Sequence, residues 1–218
     1  MPEARTQPAR MSASDRRQQL LETALDLFAR KGFEGATTKE IAAAAGVTEA
    51  MIFRHFPSKL ALYKAVLDYT VHASEHENWL AEIKACMERS DDAGLLRALA
   101  ANILRSYRRD PRFERVVLFA ALEGHELGLA HRHQVAIPVF ELLRDYIVRR
   151  QRRGALRGYN PGVIIEAIAG MTQHYAMMTQ LFGYSAPDDL TDEKAIETFT
   201  QIVMNGIRPA VTPKKTGK

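Results

Sequence analysis

Apolar residues recur three or four positions apart along most of this chain, which is the spacing of one face of an α-helix. Leu20, Ala24, Leu27 and Phe28 form the first such stripe. A half-buried strand would instead alternate apolar and polar residues, and no alternation of useful length occurs in the sequence. The pattern therefore predicts an all-α fold.

Two short helices joined by a tight turn are predicted within the segment TTKEIAAAAGVTEAMIFRHFPSK. Ile41 and Ala45 lie one helical turn apart in the first helix, and Ile52 and Phe56 do so in the second. Each pair gives its helix one edge that faces inward. Gly46 lies between the two helices, where the chain needs a positive φ that glycine tolerates best.

The ends of these helices carry capping residues. Thr37 or Thr38 is suited to cap the first helix, and Thr37 with Glu40 fits the capping box. Thr48 is a good cap for the second helix, and Ser58 begins a third. The residues that face outward near the start of the second helix are Glu49, Ala50, Met51 and Arg54. A helix-turn-helix protein presents such residues to the major groove of DNA. An ordinary helical hairpin would share the turn, but the apolar stripes on both sides favour the DNA-binding interpretation.

Residues 16–67 resemble the DNA-binding domain of the TetR family of bacterial transcriptional regulators. The resemblance rests on RRQQLLETALDLFARKGFEGATTKEIAAAAGV and IFRHFPSKLAL, which agree with the family in register over about a quarter of the chain. It implies phosphate contacts for Thr37 or Thr38, Thr48, His55 and Lys59. It implies positions at or near base edges for Lys39, Glu49, Ala50, Met51 and Arg54.

One position departs from the family pattern. Phe53 stands where the family usually has a tyrosine whose hydroxyl often bonds a phosphate. Because phenylalanine lacks that hydroxyl, we expect Phe53 either to pack or to touch a sugar or a thymine methyl group.

The predicted organisation is a three-helix helix-turn-helix domain at 14–62 and a C-terminal helical domain for ligand binding and dimerisation at 63–208. We expect disordered segments at 1–13 and 209–218. The first segment contains several arginines, so a basic arm that enters a minor groove is the alternative.

Beyond residue 58 the pattern of caps and breaks predicts only helices. The first begins at Ser58 and either ends near Val71 or continues with a kink toward Arg89. The later helices are predicted after the break and cap at 90–92 to about Arg109, from Asp110-Pro111 to near Gly124, from about His131 to Arg153, from Asn160-Pro161 to about Phe182, and from the cap at 191–193 to Gly206.

The last two helices are apolar on more than one face, so each must be covered on both sides. Packing in the core of a monomer is one explanation. The resemblance implies another, because in such proteins these helices pair with their copies into a two-fold four-helix bundle. The predicted dimer-interface residues are Ile164, Ile168, Ile196, Phe199, Ile202 and Val203.

The helical domain also contains apolar and aromatic residues that would surround one space, with a few polar tips. The resemblance implies an effector cavity here, although ordinary core packing fits each residue by itself. His174 is the residue expected to make a directed hydrogen bond with the effector. The predicted pocket residues are Tyr107, Phe113, Phe119, His125, Phe140, Met171, His174, Tyr175 and Met178.

Composition excludes only a few classes of protein. The formal net charge of the 218 residues is +4, which is mild for a protein that coats nucleic acid without sequence preference. Cys86 is the single cysteine, which excludes an internal disulfide and suits a cytoplasmic protein. No apolar run approaches the ~18 residues of a membrane span, so no membrane partner is expected.

No catalytic constellation stands out. His72 and His76 lie four positions apart with Glu75 between them, but no third ligand is evident, so neither a metal nor a cofactor is expected. A phosphate-binding glycine loop and a nucleophile elbow are both absent from the sequence. We therefore expect no enzymatic activity, and a helical enzyme that uses the pocket is an alternative.

These features together predict a sequence-specific DNA-binding regulator. The leading hypothesis is a homodimeric repressor that leaves a palindromic double-stranded operator when a small, largely apolar effector binds. The alternatives are an activator, a regulator without a ligand, and a nucleoid-like architectural protein.

Overall fold

A computed structural model of the chain describes residues 11–72, 76–124, 136–185 and 190–209. These residues form helices and no strand, which confirms the predicted all-α fold. The helices are α1 (Ala13–Gly35), α2 (Thr38–Ala44), α3 (Glu49–His55), α4 (Lys59–His72), α5 (His76–Glu88), α6 (Asp92–Arg109), α7 (Pro111–Leu122), α8 (Ile137–Arg152), α9 (Pro161–Gln180) and α10 (Asp192–Ile207).

The chain divides into two compact units. The first, here called the head, comprises Met1–Ala73 and Arg115–Leu127, and the second, here called the body, comprises Ser74–Glu114 and Gly128–Lys218. The boundary predicted at residue 62 falls inside α4, whereas the head extends past the end of that helix. Helix α7 begins in the body and ends in the head. The functional division at residue 62 stays a prediction.

The head is built around the stripe of α1. This helix packs against α2 and α4, and α2 packs against α3. The ring of Phe28 meets the ring of Tyr63 edge-on, with 4.9 Å between their centroids. The fully buried side chains of this core include Leu20, Leu25, Phe28, Ile41, Ile52, Leu62, Tyr63 and Val66. The predicted inward edges of the first helices are therefore confirmed.

The second half of α7 closes the C-terminal end of α1. Arg115 Nε donates a hydrogen bond to the carbonyl oxygen of Ala29 at 2.8 Å. The carboxylate of Glu123 accepts from the backbone N–H of Phe33 at 3.1 Å. Gly32 has φ +72 and ψ 179, and a Cβ there would lie 2.1 Å from Glu123 Oε1. The backbone geometry therefore favours glycine at position 32, and a Cβ there would displace the Glu123 carboxylate from its hydrogen bonds.

The body has its own core, in which α6 packs against α5, α9 and α10. A buried polar group joins α6 to α8: Asp92 Oδ1 accepts from Tyr146 Oη at 2.6 Å and from Arg150 Nε at 2.8 Å. The buried apolar residues include Trp79, Ile83, Leu95, Leu96, Leu99, Leu143, Ile147, Ile164, Ile168, Val203 and Met204.

Several predicted boundaries lie outside the described residues. These are the connection between α4 and α5 at 73–75, the start of the helix predicted at His131, and most of the two terminal segments predicted to be disordered. The other predicted helices are found within about two residues of their expected ends, as is usual for helix termini. In the described part of the chain, no helix has both the length and the apolarity that a bilayer crossing requires.

Candidate nucleic-acid interface

The two short helices of the head are joined by the predicted glycine turn. Gly46 has φ +67, its N–H bonds the carbonyl of Ala43 at 3.2 Å, and the N–H of Val47 bonds the carbonyl of Ala42 at 3.0 Å. This pair of bonds is a Schellman motif, which ends a helix by satisfying its last carbonyls. Gln19 Nε2 of α1 donates to the carbonyl of Ala45 at 3.3 Å, so the turn is also held from α1.

The capping box predicted for α2 is present. The N–H of Glu40 donates to Thr37 Oγ1 at 3.2 Å, and the N–H of Thr37 donates to Glu40 Oε2 at 3.0 Å. Lys31 Nζ lies 2.7 Å from Glu40 Oε1. The hydrogen bond from Lys31, followed by those from Thr37, lowers the pKa of Glu40 from 4.5 to about 2. The start of α2 is thus fixed on the end of α1.

Thr48 occupies the cap position of α3 with an extended backbone, as predicted, but its hydroxyl makes no capping hydrogen bond. The first turn closes instead through a backbone bond from Met51 N–H to the Thr48 carbonyl at 3.0 Å. The Thr48 side chain is exposed. The helix therefore does not depend on this hydroxyl.

Helix α3 is anchored by one edge and exposed along the other. Ile52 and Phe56 are buried. Phe53 is 45% exposed, so of the two predicted alternatives it does not pack into the core. The other outward residues are exposed at Glu49, Ala50 and Arg54 and half-buried at Met51. The interface residues predicted elsewhere in the head are exposed at Thr37, Lys39 and Thr48 and half-buried at Thr38, His55 and Lys59.

Two of these side chains already have partners within the head. The hydroxyl of Thr38 donates a short hydrogen bond to Glu49 Oε1, across the turn from α2 to α3. Lys59 Nζ lies 4.4 Å from the centroid of the Phe33 ring. A cation above an aromatic face is attracted to it, which restrains the lysine where α4 begins.

Comparison with known proteins decides the family. Residues 20–66 match the family model of bacterial regulatory proteins, tetR family. The chain is 28% identical over 202 residues to the HTH-type transcriptional regulator RutR of Escherichia coli (strain K12), covering 91% of this chain and 93% of that protein. Residues 20–66 therefore carry a TetR-family domain, and the comparisons support a DNA-binding transcriptional regulator of this family.

Two further similarities fit this TetR-family assignment. The nucleoid occlusion factor SlmA of Shewanella sediminis (strain HAW-EB3) is 27% identical over 147 residues, which cover 67% of this chain and 72% of that protein. The crystal structure of AibR in complex with isovaleryl coenzyme A and operator DNA superimposes with a TM-score of 0.62 at 22% identity, covering 86% of this chain and 97% of that one. The second similarity is one of fold.

The structure does not bring the predicted pocket residues of this TetR-family chain together. Tyr107 and Tyr175 belong to one small apolar cluster, whereas Phe140 and Met171 pack against the larger core of the body. Phe119 belongs to the head. The remaining predicted residues are half-buried at Phe113 and Met178, exposed at His174, and outside the described residues at His125. His174 faces solvent, and its predicted hydrogen bond with an effector stays a prediction.

Sequence reasoning missed a half-buried acid in the body, Glu114. Glu114 Oε1 accepts from Ser106 Oγ at 2.6 Å, and burial raises the pKa of its carboxyl above the usual 4.5 despite that bond. The hydroxyls of Tyr107 and Tyr175 are buried and make no hydrogen bond of good geometry, although Gln173 lies near the first and Asp192 near the second. Glu114 sits between Phe113 and Val116, where an acid in an amphipathic helix looks solvated, so the sequence carried no signal for it.

The predicted dimer residues also separate. Ile164, Ile168 and Val203 are buried in the core of the body, because the wide apolar faces of α9 and α10 meet α6 and each other. Their part in a dimer interface stays a prediction. Ile196 and Phe199 are half-buried, and Ile202 is 55% exposed. The face of α9 that stays exposed lies elsewhere and consists of Val163, Glu166, Ala167, Gly170, Gln173 and His174.

Within the described residues, no group of three or more metal-binding side chains occurs. Cys86 is buried, and burial raises the pKa of its thiol. A thiol that stays protonated is a poor nucleophile.

Proposed function

We propose that this chain is a homodimeric repressor that binds a palindromic operator and is released by a small effector bound in the body. The observation that carries the proposal is the form of α3. Ile52 and Phe56 anchor one edge in the head, while Glu49, Phe53 and Arg54 stand exposed along the other. A short helix anchored in this way can enter a major groove without unfolding its own domain.

The residues on and around the exposed edge of α3 are each assigned a contact with DNA that suits their chemistry. Arg54 is proposed to reach a base edge, because guanidinium is the commonest partner of guanine. Lys59 and His55 are proposed to contact phosphates, as are Thr48 and either Thr37 or Thr38. Lys39, Ala50 and Met51 are proposed to lie near base edges. The free hydroxyl of Thr48 supports its part, since the helix cap does not use it.

Dimerisation is supported by the stripe of α9 that the body leaves uncovered. Val163 is 65% exposed, and Ala167, Gly170 and His174 follow it at helical spacing. Ile202 of α10 is also exposed. We place the dimer surface on these residues in place of the buried isoleucines. Two heads about 34–36 Å apart would then meet successive major grooves on one side of the duplex.

Release by an effector is supported by the polar groups buried in the body. The hydroxyls of Tyr107 and Tyr175 are buried without a hydrogen bond of good geometry, and a ligand that bonded them would recover part of the cost of their desolvation. We place the effector near these hydroxyls and Glu114. The structure of AibR is of a protein of this fold with a coenzyme A thioester and operator DNA. A coupling of ~1–3 kcal/mol would weaken operator binding roughly 5–150-fold.

A second candidate is a chromosome-binding protein with no effector. The similarity to a nucleoid occlusion factor favours it, because that match covers two thirds of the chain. Both candidates bind DNA and therefore belong in the cytoplasm. An effector that changes operator affinity would separate them.

The test is selection of bound sequences from random duplex DNA, followed by affinities for the selected and a scrambled duplex at one salt concentration. We expect a palindrome that is preferred by about 10³-fold or more. Lys59→Ala should weaken binding to both duplexes equally, whereas Arg54→Ala should lose ~1–3 kcal/mol at one base position. Failure to enrich any sequence would contradict the proposal.

The dimer is tested separately by sedimentation. Val163→Asp should shift the chain toward monomer, because it places a charge on the proposed surface. Leu122→Asp is the matched control, since Leu122 is 84% exposed but lies in the head. Equal behaviour of the two variants would remove the α9 stripe from the interface.

A further inference from the structure

Glu49 is an acid on the surface that is proposed to meet DNA. It is the first residue of α3 and is exposed. None of the ion pairs between described residues includes it. Glu40 differs, because Lys31 neutralises it at 2.7 Å. A carboxylate that approaches phosphates without a cation weakens binding to every sequence, unless it finds a donor on the DNA.

The head fixes the position of this carboxylate. The hydroxyl of Thr38 donates to Glu49 Oε1, so one oxygen is held from the start of α2. The other oxygen, Oε2, remains available as an acceptor. Thr38 and Glu49 stand on opposite sides of the turn that Gly46 makes possible. The acceptor is therefore placed by both helices of the motif and does not swing freely on one.

The chemistry of the base edges selects the partner. An ionised carboxylate only accepts hydrogen bonds. In the major groove, guanine offers two acceptors and thymine offers an acceptor and a methyl group, so neither suits it. Adenine offers the N6 donor but places the N7 acceptor beside it, where a carboxylate is repelled. Cytosine offers the N4 donor without a neighbouring acceptor on its own edge.

We propose that Glu49 selects cytosine at one position of each half-site by accepting a hydrogen bond from its N4 amino group, with Thr38 as the positioning residue. The inference rests on the proposed sequence-specific binding of DNA. It names one base that this chain should require and the contact that enforces the requirement.

The experiment uses the full-length protein and the duplex obtained by selection. Each base pair of a half-site is replaced in turn by the other three, and dissociation constants are measured for wild type and Glu49→Gln. For wild type, we expect one cytosine whose replacement costs about 5- to 100-fold. For Glu49→Gln, that preference should vanish or shift toward adenine, because an amide both accepts from N6 and donates to N7.

Two variants separate base recognition from charge. Asp68→Asn removes the same charge from an exposed site on α4, away from α3. It should raise affinity slightly for all duplexes and leave the pattern of base preferences unchanged. Thr38→Val keeps the shape of the threonine but removes the hydroxyl. It should reduce the preference for cytosine, whereas loss of a phosphate contact alone would weaken all duplexes by one factor.

The outcomes are distinguishable. A Glu49→Gln pattern within twofold of wild type at every position would overturn the inference while leaving the regulator intact. A wild-type protein without any sequence preference would overturn the proposed function itself. Thermal unfolding of each variant verifies the fold, and Glu49→Ala, which cannot bond any base, provides a second measurement of the same preference.

Discussion

The head and the body satisfy their polar groups differently. In the head, Glu40 completes a capping box and Glu123 accepts from the end of α1. Among the described residues, the buried side-chain polar atoms without a partner are Tyr107 Oη, Tyr175 Oη and Thr200 Oγ1, and all three lie in the body. The hydrogen bonds of the head thus fix its helix ends in one geometry. The body instead contains buried hydroxyls that could still bond a ligand. A buried donor without a partner costs about 1–3 kcal/mol.

The largest expected effect tests the rigidity of the head. Gly32→Ala would place a methyl group against Glu123 at a backbone geometry that only glycine adopts easily. We expect a loss of about 3 kcal/mol or more in the free energy of unfolding, measured by urea titration. Gly46→Ala is the control, since its φ is also positive but nothing lies near its Cβ. It should cost only about 1–2 kcal/mol, and equal losses would show that Glu123 does not hold α1.

The next effect compares two tyrosines of the body. Tyr146→Phe removes a hydroxyl that donates to Asp92 at 2.6 Å, so we expect a loss of about 1.5–3 kcal/mol. Tyr107→Phe removes a buried hydroxyl without a partner and should leave stability unchanged or raise it by up to about 1 kcal/mol. Urea titration of both variants without added ligand decides. A clear loss for Tyr107→Phe would mean that its hydroxyl is already bonded and not held in reserve.

A smaller effect separates two threonines at helix starts. Thr37→Ala removes the hydroxyl that caps α2 and should cost about 1 kcal/mol. Thr48→Ala removes a hydroxyl that caps nothing, so it should cost less than about 0.5 kcal/mol. If Thr48→Ala destabilises the head as much as Thr37→Ala, its hydroxyl has a structural partner and the proposed phosphate contact loses its support.

The smallest expected effect is the change of stability with pH. Its sign differs between one acid of the body, Glu114, and one of the head, Glu40. Burial raises the pKa of Glu114. The contribution of the protonated acid to the free energy of unfolding is therefore complete below about pH 4.5 and is lost as pH rises through the folded-state pKa. The pKa of Glu40 is lowered to about 2, so its stabilisation is present above about pH 4.5 and is lost as pH falls toward 2.

The urea midpoints of Glu114→Gln and Glu40→Gln therefore have to be followed against pH. Relative to wild type, Glu114→Gln should gain stability as pH rises above 4.5, and Glu40→Gln should gain stability as pH falls below it. Parallel trends for the two variants would contradict the contrast between a paired acid and a buried one.

The same contrast explains what could be predicted from the sequence. The capping box at Thr37 and the turn at Gly46 depend on residues within six positions of each other, so local rules suffice. In the body, Ile164 and Val163 are neighbours on a helix that is apolar on several faces, yet one is buried and the other is 65% exposed. Only the packing of α6 against α9 decides which face is covered, and that choice depends on residues far apart in the chain.

The environments of several other residues also depend on contacts between distant parts of the chain, so they could not be predicted. Glu114 looked like a solvated acid, because nothing in its neighbours shows that Ser106 meets it. His174 looked like the polar tip of a pocket but is exposed. The assignment of residues 115–127 to the head could not be predicted either, since they lie more than 40 positions beyond the rest of that unit.

The head is discontinuous in the chain, so its first 73 residues leave the ribosome before the segment that supplies Arg115 and Glu123. At about 5–20 residues per second, that segment follows roughly 2–10 s later. During this interval the hydrogen bonds that Arg115 and Glu123 make to the end of α1 have not formed. We therefore expect the head to complete its folding only after residue 123 has left the ribosome.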